Sequence, residues 1–118
     1  MKLKIDLVRG EGNANEEYVA LTAMEDCNLD RYMVADTSYI GKNHISNRHR
    51  HTFWFNSTDI KKGERVLLYT KDGAYVTTHS GGVKWHHFYW GLKTAVWNNE
   101  GDAAILFEIN SWATTTAK

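Results

Sequence analysis

VWNNEGDAAILF, residues 96–107, is the stretch on which the fold turns. The large ring of Trp97 is followed by Asn98, Asn99, Glu100, Gly101 and Asp102, and then by a nearly all-apolar run. Amides and carboxylates this close together suit either a chemical site or a chain reversal, and the residue types favour the reversal. Asparagine tolerates turn conformations, glycine supplies positive φ, and an aspartate beside a turn accepts backbone amides. Trp97 is then expected to anchor a core. Ala104 and Leu106 re-enter that core, while Ile105 and Phe107 lie on the opposite face, where exposure would favour self-association through a sheet.

The same period-two alternation recurs toward the N-terminus. KLKIDLV sets Leu3, Ile5 and Leu7 against Lys2, Lys4 and Asp6, and YVALTAM puts Val19, Leu21 and Ala23 on one face. LDRYMVAD does so with Tyr32 and Val34, and HTFWF with His51, Phe53 and Phe55. RVLLYT and AYVTTH are separated by Lys71-Asp72-Gly73, whose Asp-Gly pair predicts a hairpin. HHFYW, TAVW and AAILFEI complete the set. Turn residues fall between the runs, at Gly10–Gly12, Asn28, Gly41–Asn43, Lys62-Gly63, Gly81-Gly82 and Asn98–Gly101. About eight or nine short strands without an amphipathic helix predict an all-β, antiparallel sandwich or barrel. Residues 39–47 read as a long loop. The polar ends, GEGNANEE near the start and TTTAK at the finish, read as loosely ordered.

Composition bounds the function. A chain of 118 residues fits one domain, 1–118, able to bury an ordinary core. Fourteen basic residues balance fourteen acidic ones, so no global field draws in nucleic acid or an anionic membrane. Cys27 is the single cysteine and makes no intrachain disulfide. Asp6 interrupts the apolar residues of MKLKIDLVRG, so this start is not a signal peptide, and no run reaches a membrane span. A cytoplasmic protein is the default expectation, and a mature secreted form would look the same.

Several blocks, read in order, resemble the lamin-tail domain family. EEYVALTAMEDCNLDRYMVAD is similar to that family's opening, with Leu29, Tyr32, Val34 and Asp36 at its Leu-x-x-aromatic-x-hydrophobic-x-Asp positions and Tyr32 where Trp is frequent. HTFWFNSTDIKKGERVLLYT resembles the next block, through Gly63, Glu64, Val66 and Leu68. YWGLKTAVWNNEGDAAILF carries the most specific likeness. The resemblance spans residues 16–108. The Tyr39–Asn47 segment, HSGGVKWHH and the missing proline after the aromatic strand depart from the pattern. It implies an immunoglobulin-like β-sandwich without an inter-sheet disulfide and with no catalytic residues. Family members act as interaction modules in nuclear lamins and occur in bacteria alone or beside nucleases. The chain looks like the bacterial stand-alone type.

Several chemistry-bearing residues compete with that reading. His49 and His51 would put two imidazoles on one strand face, with His44, His79, His86 and His87 as further metal ligands. A cupin-like metalloenzyme is the catalytic alternative, but it needs a glutamate shortly after the pair, and Glu64 is the next. No nucleophile elbow or phosphate loop occurs. Asp59, Glu64, Asp72, Glu100 and Asp102 sit at turns, where carboxylates cap amides. With Phe88 and Trp90 inward, Trp85, His87 and Tyr89 face outward, and Trp54 does so between Phe53 and Phe55, beside Arg50 and Thr52. Trp54, Trp85, His87 and Tyr89 therefore form the candidate ligand surface. The expectation is a non-enzymatic module with a protein partner, without cofactor, metal or membrane. The alternatives are a histidine-centred metalloenzyme and a nucleic-acid-binding accessory domain, the latter disfavoured by zero net charge.

Overall fold

The computed structural model describes residues 1–41, 44–45, 51–97 and 102–117. Among these residues eleven strand segments follow one another: β1 (Leu3–Arg9), β2 (Tyr18–Ala23), β3 (Cys27–Asn28), β4 (Tyr32–Gly41), β5 (His44–Ile45), β6 (Thr52–Trp54), β7 (Asp59–Ile60), β8 (Arg65–Tyr69), β9 (Val76–Ser80), β10 (Val83–Tyr89) and β11 (Asp102–Glu108). A 3-10 turn, Leu29–Arg31, is capped by the Asn28 side chain, which accepts the Asp30 amide at 2.9 Å. The protein is all-β and sandwich-like. One sheet runs β1-β2-β8-β10-β9; the other joins β11 to β4, with β5 and β6 also on β4, and β3-β7 is a small ribbon.

Alternation makes the core. Val19, Leu21 and Ala23 of β2, Val66 and Leu68 of β8, and Phe88 of β10 point inward from the first sheet. Tyr32 and Val34 of β4 and Leu106 of β11 meet them from the second. Phe53, Phe55 and Phe88 close the middle edge-to-face, at centroid separations of 5.1–6.4 Å. Each fully buried apolar side chain of this core contributes about 1.5–3 kcal/mol of transfer free energy.

Six local expectations are corrected. The first sheet is mixed rather than antiparallel, because β8 and β10 run parallel in the register Arg65↔Trp85 to Tyr69↔Tyr89. Asp72-Gly73 therefore does not close a hairpin between β8 and β9. It turns the chain out of the sheet, and β10 occupies the place between them. Gly73 is required there for space: a Cβ would overlap the Tyr89 ring. The hairpin is instead β9-Gly81-Gly82-β10, with φ of 59° and 76° at the two glycines, the left-handed pair of a two-residue type I′ turn.

In β1 a bulge at Asp6 shifts the register between Ile5↔Leu21 and Leu7↔Ala20. Leu7 thereby joins the outer face, and Val8, paired with Val19, packs on the core in its place. Residues 39–47 are not simply a loop, since β4 continues to Gly41 and pairs with His44–Ile45. TAVW forms no strand, although Val96 and Trp97 are buried. The GEGNANEE segment is tied rather than loose. The Asn13 carbonyl accepts the Glu16 and Glu17 amides at 3.0 and 2.9 Å, and the Glu17 side chain is fully buried. Ile105 and Phe107 are half-buried. The turn at residues 98–101, including Gly101, lies outside the described residues.

Candidate functional site at the outer sheet face

The outer face of the five-stranded sheet follows from its registers. Tyr18, Tyr69 and Tyr89 are partners in one row; Ala20, Leu67, His87 and Val76 form the next; Thr22, Arg65, Trp85 and Thr78 form a third. Trp85, His87 and Tyr89 thus share a face, opposite buried His86 and Phe88. Tyr18, Arg65, Tyr69 and Lys71 join them, and sequence reading missed these four. Their signal was the parallel β8/β10 register, which no local pattern encodes.

The rings are held in place. Tyr69 and Tyr89 stack at 5.0 Å and 17°, His87 stacks on Tyr69 at 5.8 Å and 12°, and Tyr18 tilts against Tyr69 at 5.8 Å. The Arg65 guanidinium lies 5.6 Å over Trp85, and Lys71 Nζ lies 5.6 Å over Tyr69. His87 has partners at both nitrogens, the Tyr69 hydroxyl at Nδ1 (3.1 Å) and the Thr78 hydroxyl at Nε2 (2.8 Å). Burial, reinforced by Tyr89, raises the Tyr69 phenol above its ordinary value. Stacked in this way, the rings turn faces toward one another and offer edges outward.

Trp54 does not belong to this face. It projects from β6 on the far sheet, donates Nε1–H to the Asp30 carbonyl at 2.7 Å, and meets Trp112 edge-on at 4.8 Å. Arg31 lies 5.8 Å over Trp112 and donates to the Asn110 carbonyl at 3.0 Å, which fixes the C-terminal segment there. The candidate surface of four residues is therefore divided between two sides of the sandwich.

Of the proposed metal pair, His49 lies outside the described residues, as does Arg50. His51 is bound to Asp36, whose carboxylate accepts its backbone amide at 2.7 Å and meets Nδ1 at 3.1 Å. Among the described residues no three His, Cys, Asp or Glu side chains converge as metal ligands.

His86 sits instead in a hydrogen-bonded chain on the inner side, with Nε2 2.8 Å from Glu64 Oε1 and Nδ1 2.8 Å from the Tyr75 hydroxyl. Glu64 also accepts the Lys61 amide at 3.1 Å, so it is both a turn cap and a histidine partner. Burial works to raise the Glu64 carboxyl, but the bonds from His86 and the Lys61 amide outweigh it and hold it below its ordinary 4.5. Burial, then the Glu64 charge, raises the Tyr75 phenol, which disfavours a phenolate nucleophile. Burial likewise pushes the Cys27 thiol up, ahead of the opposing pull of Lys2, and leaves it an unactivated thiol.

Burial first, and His86 second, lower the His87 imidazole below its ordinary 6.5. A depressed histidine favours the neutral ring in the folded state, so its effect on stability is absent at high pH. Stability falls as pH drops from about 6.5 toward the lowered value. Glu64 acts in a lower window: its stabilisation is full above about 4.5 and is lost as pH falls through its depressed value. Melting temperature against pH is expected to decline in two steps, and His87→Gln to remove the upper one. An unchanged upper step in that variant would refute the assignment.

No helix among the described residues is long and apolar enough to cross a membrane. Comparison of the sequence with protein-family models and with curated proteins finds no match.

Proposed function

We propose that the chain is a non-enzymatic interaction module, a lamin-tail-like sandwich, that binds a protein partner across the outer face of its five-stranded sheet. The observation that carries the reading is the row of stacked, half-buried rings flanked by Arg65 and Lys71. Aromatic and arginine side chains are the groups that anchor protein interfaces. A sugar or a nucleobase that stacks needs an open ring face. Here Tyr69, Tyr89 and His87 stack on one another, and Arg65 lies over Trp85. A cytoplasmic setting goes with this reading, given a free Cys27.

Alanine at Trp85 or Tyr89 is expected to lower stability by only about 1 kcal/mol, the scale of a cross-strand pair. The same changes should abolish capture of the partner by immobilised protein from a lysate of the source cells. Identical captured proteins with wild type and both variants would overturn the proposal. So would single-stranded DNA binding that weakens steeply with salt and is lost in the variants, since that slope marks phosphate contacts.

A further inference from the structure

We propose that β9 is a homotypic docking edge, through which two copies of the chain pair antiparallel about Thr78 and join their five-stranded sheets. The first sheet ends on β1 at one side and β9 at the other. The β1 edge carries the devices that prevent strand addition, a bulge at Asp6 and the charges of Lys4, Asp6 and Arg9. Along β9, VTTHS, there is no acidic residue, lysine, arginine, proline or bulge, and all but Thr77 are exposed. Among the described residues no strand pairs with its outer side.

The hairpin geometry says which groups are free. In a two-residue hairpin the flanking residues, here Ser80 and Val83, exchange both backbone bonds, and bonded pairs then alternate along the ladder. Ser80, Thr78 and Val76 consequently bond to β10, while Thr77 and His79 direct their N–H and C=O groups outward. A twofold axis at Thr78 matches Thr77 of each copy to His79 of the other and satisfies all of these groups in two bonded pairs. The strand is thus complementary to itself in one register. Thr78 faces Thr78 at the close, non-bonded position, a favourable threonine pair. Zero net charge on the chain leaves no overall repulsion between copies. Thr78 shares the outer face with Trp85, so pairing makes one continuous surface that presents the ring rows twice. The inference does not depend on that surface binding anything.

Sedimentation velocity on the full chain across the micromolar range tests it. The wild type is expected to show a dimer that dissociates on dilution. Thr78→Lys and Thr78→Asp should each weaken dimerisation at least roughly tenfold, because like charges would meet at the axis. Both lose the hydroxyl that meets His87, so recovery of the dimer in an equimolar mixture isolates the charge effect. His79→Pro removes an outward amide while sparing the bonds to β10, and should give a monomer with a near wild-type melting temperature. A wild type that stays monomeric throughout, or a dimer that survives Thr78→Lys or His79→Pro, overturns the proposal.

Discussion

Glu17→Ala is expected to destabilise the protein by about 3–5 kcal/mol, the scale of breaking a buried, hydrogen-bonded charge site. Glu17 opens the way into β2 and is fully buried. Its carboxylate accepts the Thr70 hydroxyl at 2.7 Å, the Gly12 amide at 3.3 Å, and the Val96 and Trp97 amides at 2.5 and 3.4 Å. Its carbonyl also receives the Thr70 amide at 3.4 Å. Three separate segments, none of them a strand, are therefore held by one side chain. Each donor left without an acceptor in a buried site costs about 1–3 kcal/mol, and water entry keeps the total below the sum. Glu17→Gln keeps the shape but turns an amide donor toward amide donors, so it should recover little of the loss. Urea unfolding measures both, and a loss under about 1 kcal/mol for alanine would refute the latch.

The buried faces of β2, β4, β8 and β10 were legible because period two is a local property, read from neighbours in the chain. Trp85, His87 and Tyr89 were placed together for the same reason. Pairing was not legible. Asp72-Gly73 announces that the chain turns, yet nothing local says which strand receives it, and the parallel β8/β10 contact is set by the packing of both sheets. The Asp6 bulge changes which side Leu7 faces through a single unpaired residue, below the resolution of an alternation pattern. Glu17 was hidden in a polar string because composition alone cannot separate an exposed glutamate from one surrounded by donors. Glu64 and His86 are separated by 22 residues and meet through the same non-local pairing. Trp112 lies in a segment without alternation, so no local pattern marks it as the partner of Trp54, and alternation alone puts Trp54 with the other outward rings.

Trp97→Ala is expected to cost about 3–5 kcal/mol, through loss of transfer free energy and the cavity left behind. The ring is 2% exposed and packs against Trp90 at a centroid distance of 6.2 Å and 59°. Its Nε1–H meets no acceptor among the described residues, and the ring itself is almost fully enclosed. Trp97→Phe should therefore cost only about 1–2 kcal/mol, the scale of a partial truncation that retains an aromatic ring. If phenylalanine proved as damaging as alanine, the indole N–H rather than the ring volume would be the requirement. The two corner residues are also coupled, because Glu17 accepts the Trp97 amide and fixes the segment that carries the ring. Once the ring is gone, the latch has less to position. The double variant Glu17→Ala/Trp97→Ala should fall short of the summed losses by about 1 kcal/mol or more, and strict additivity would separate the latch from the core.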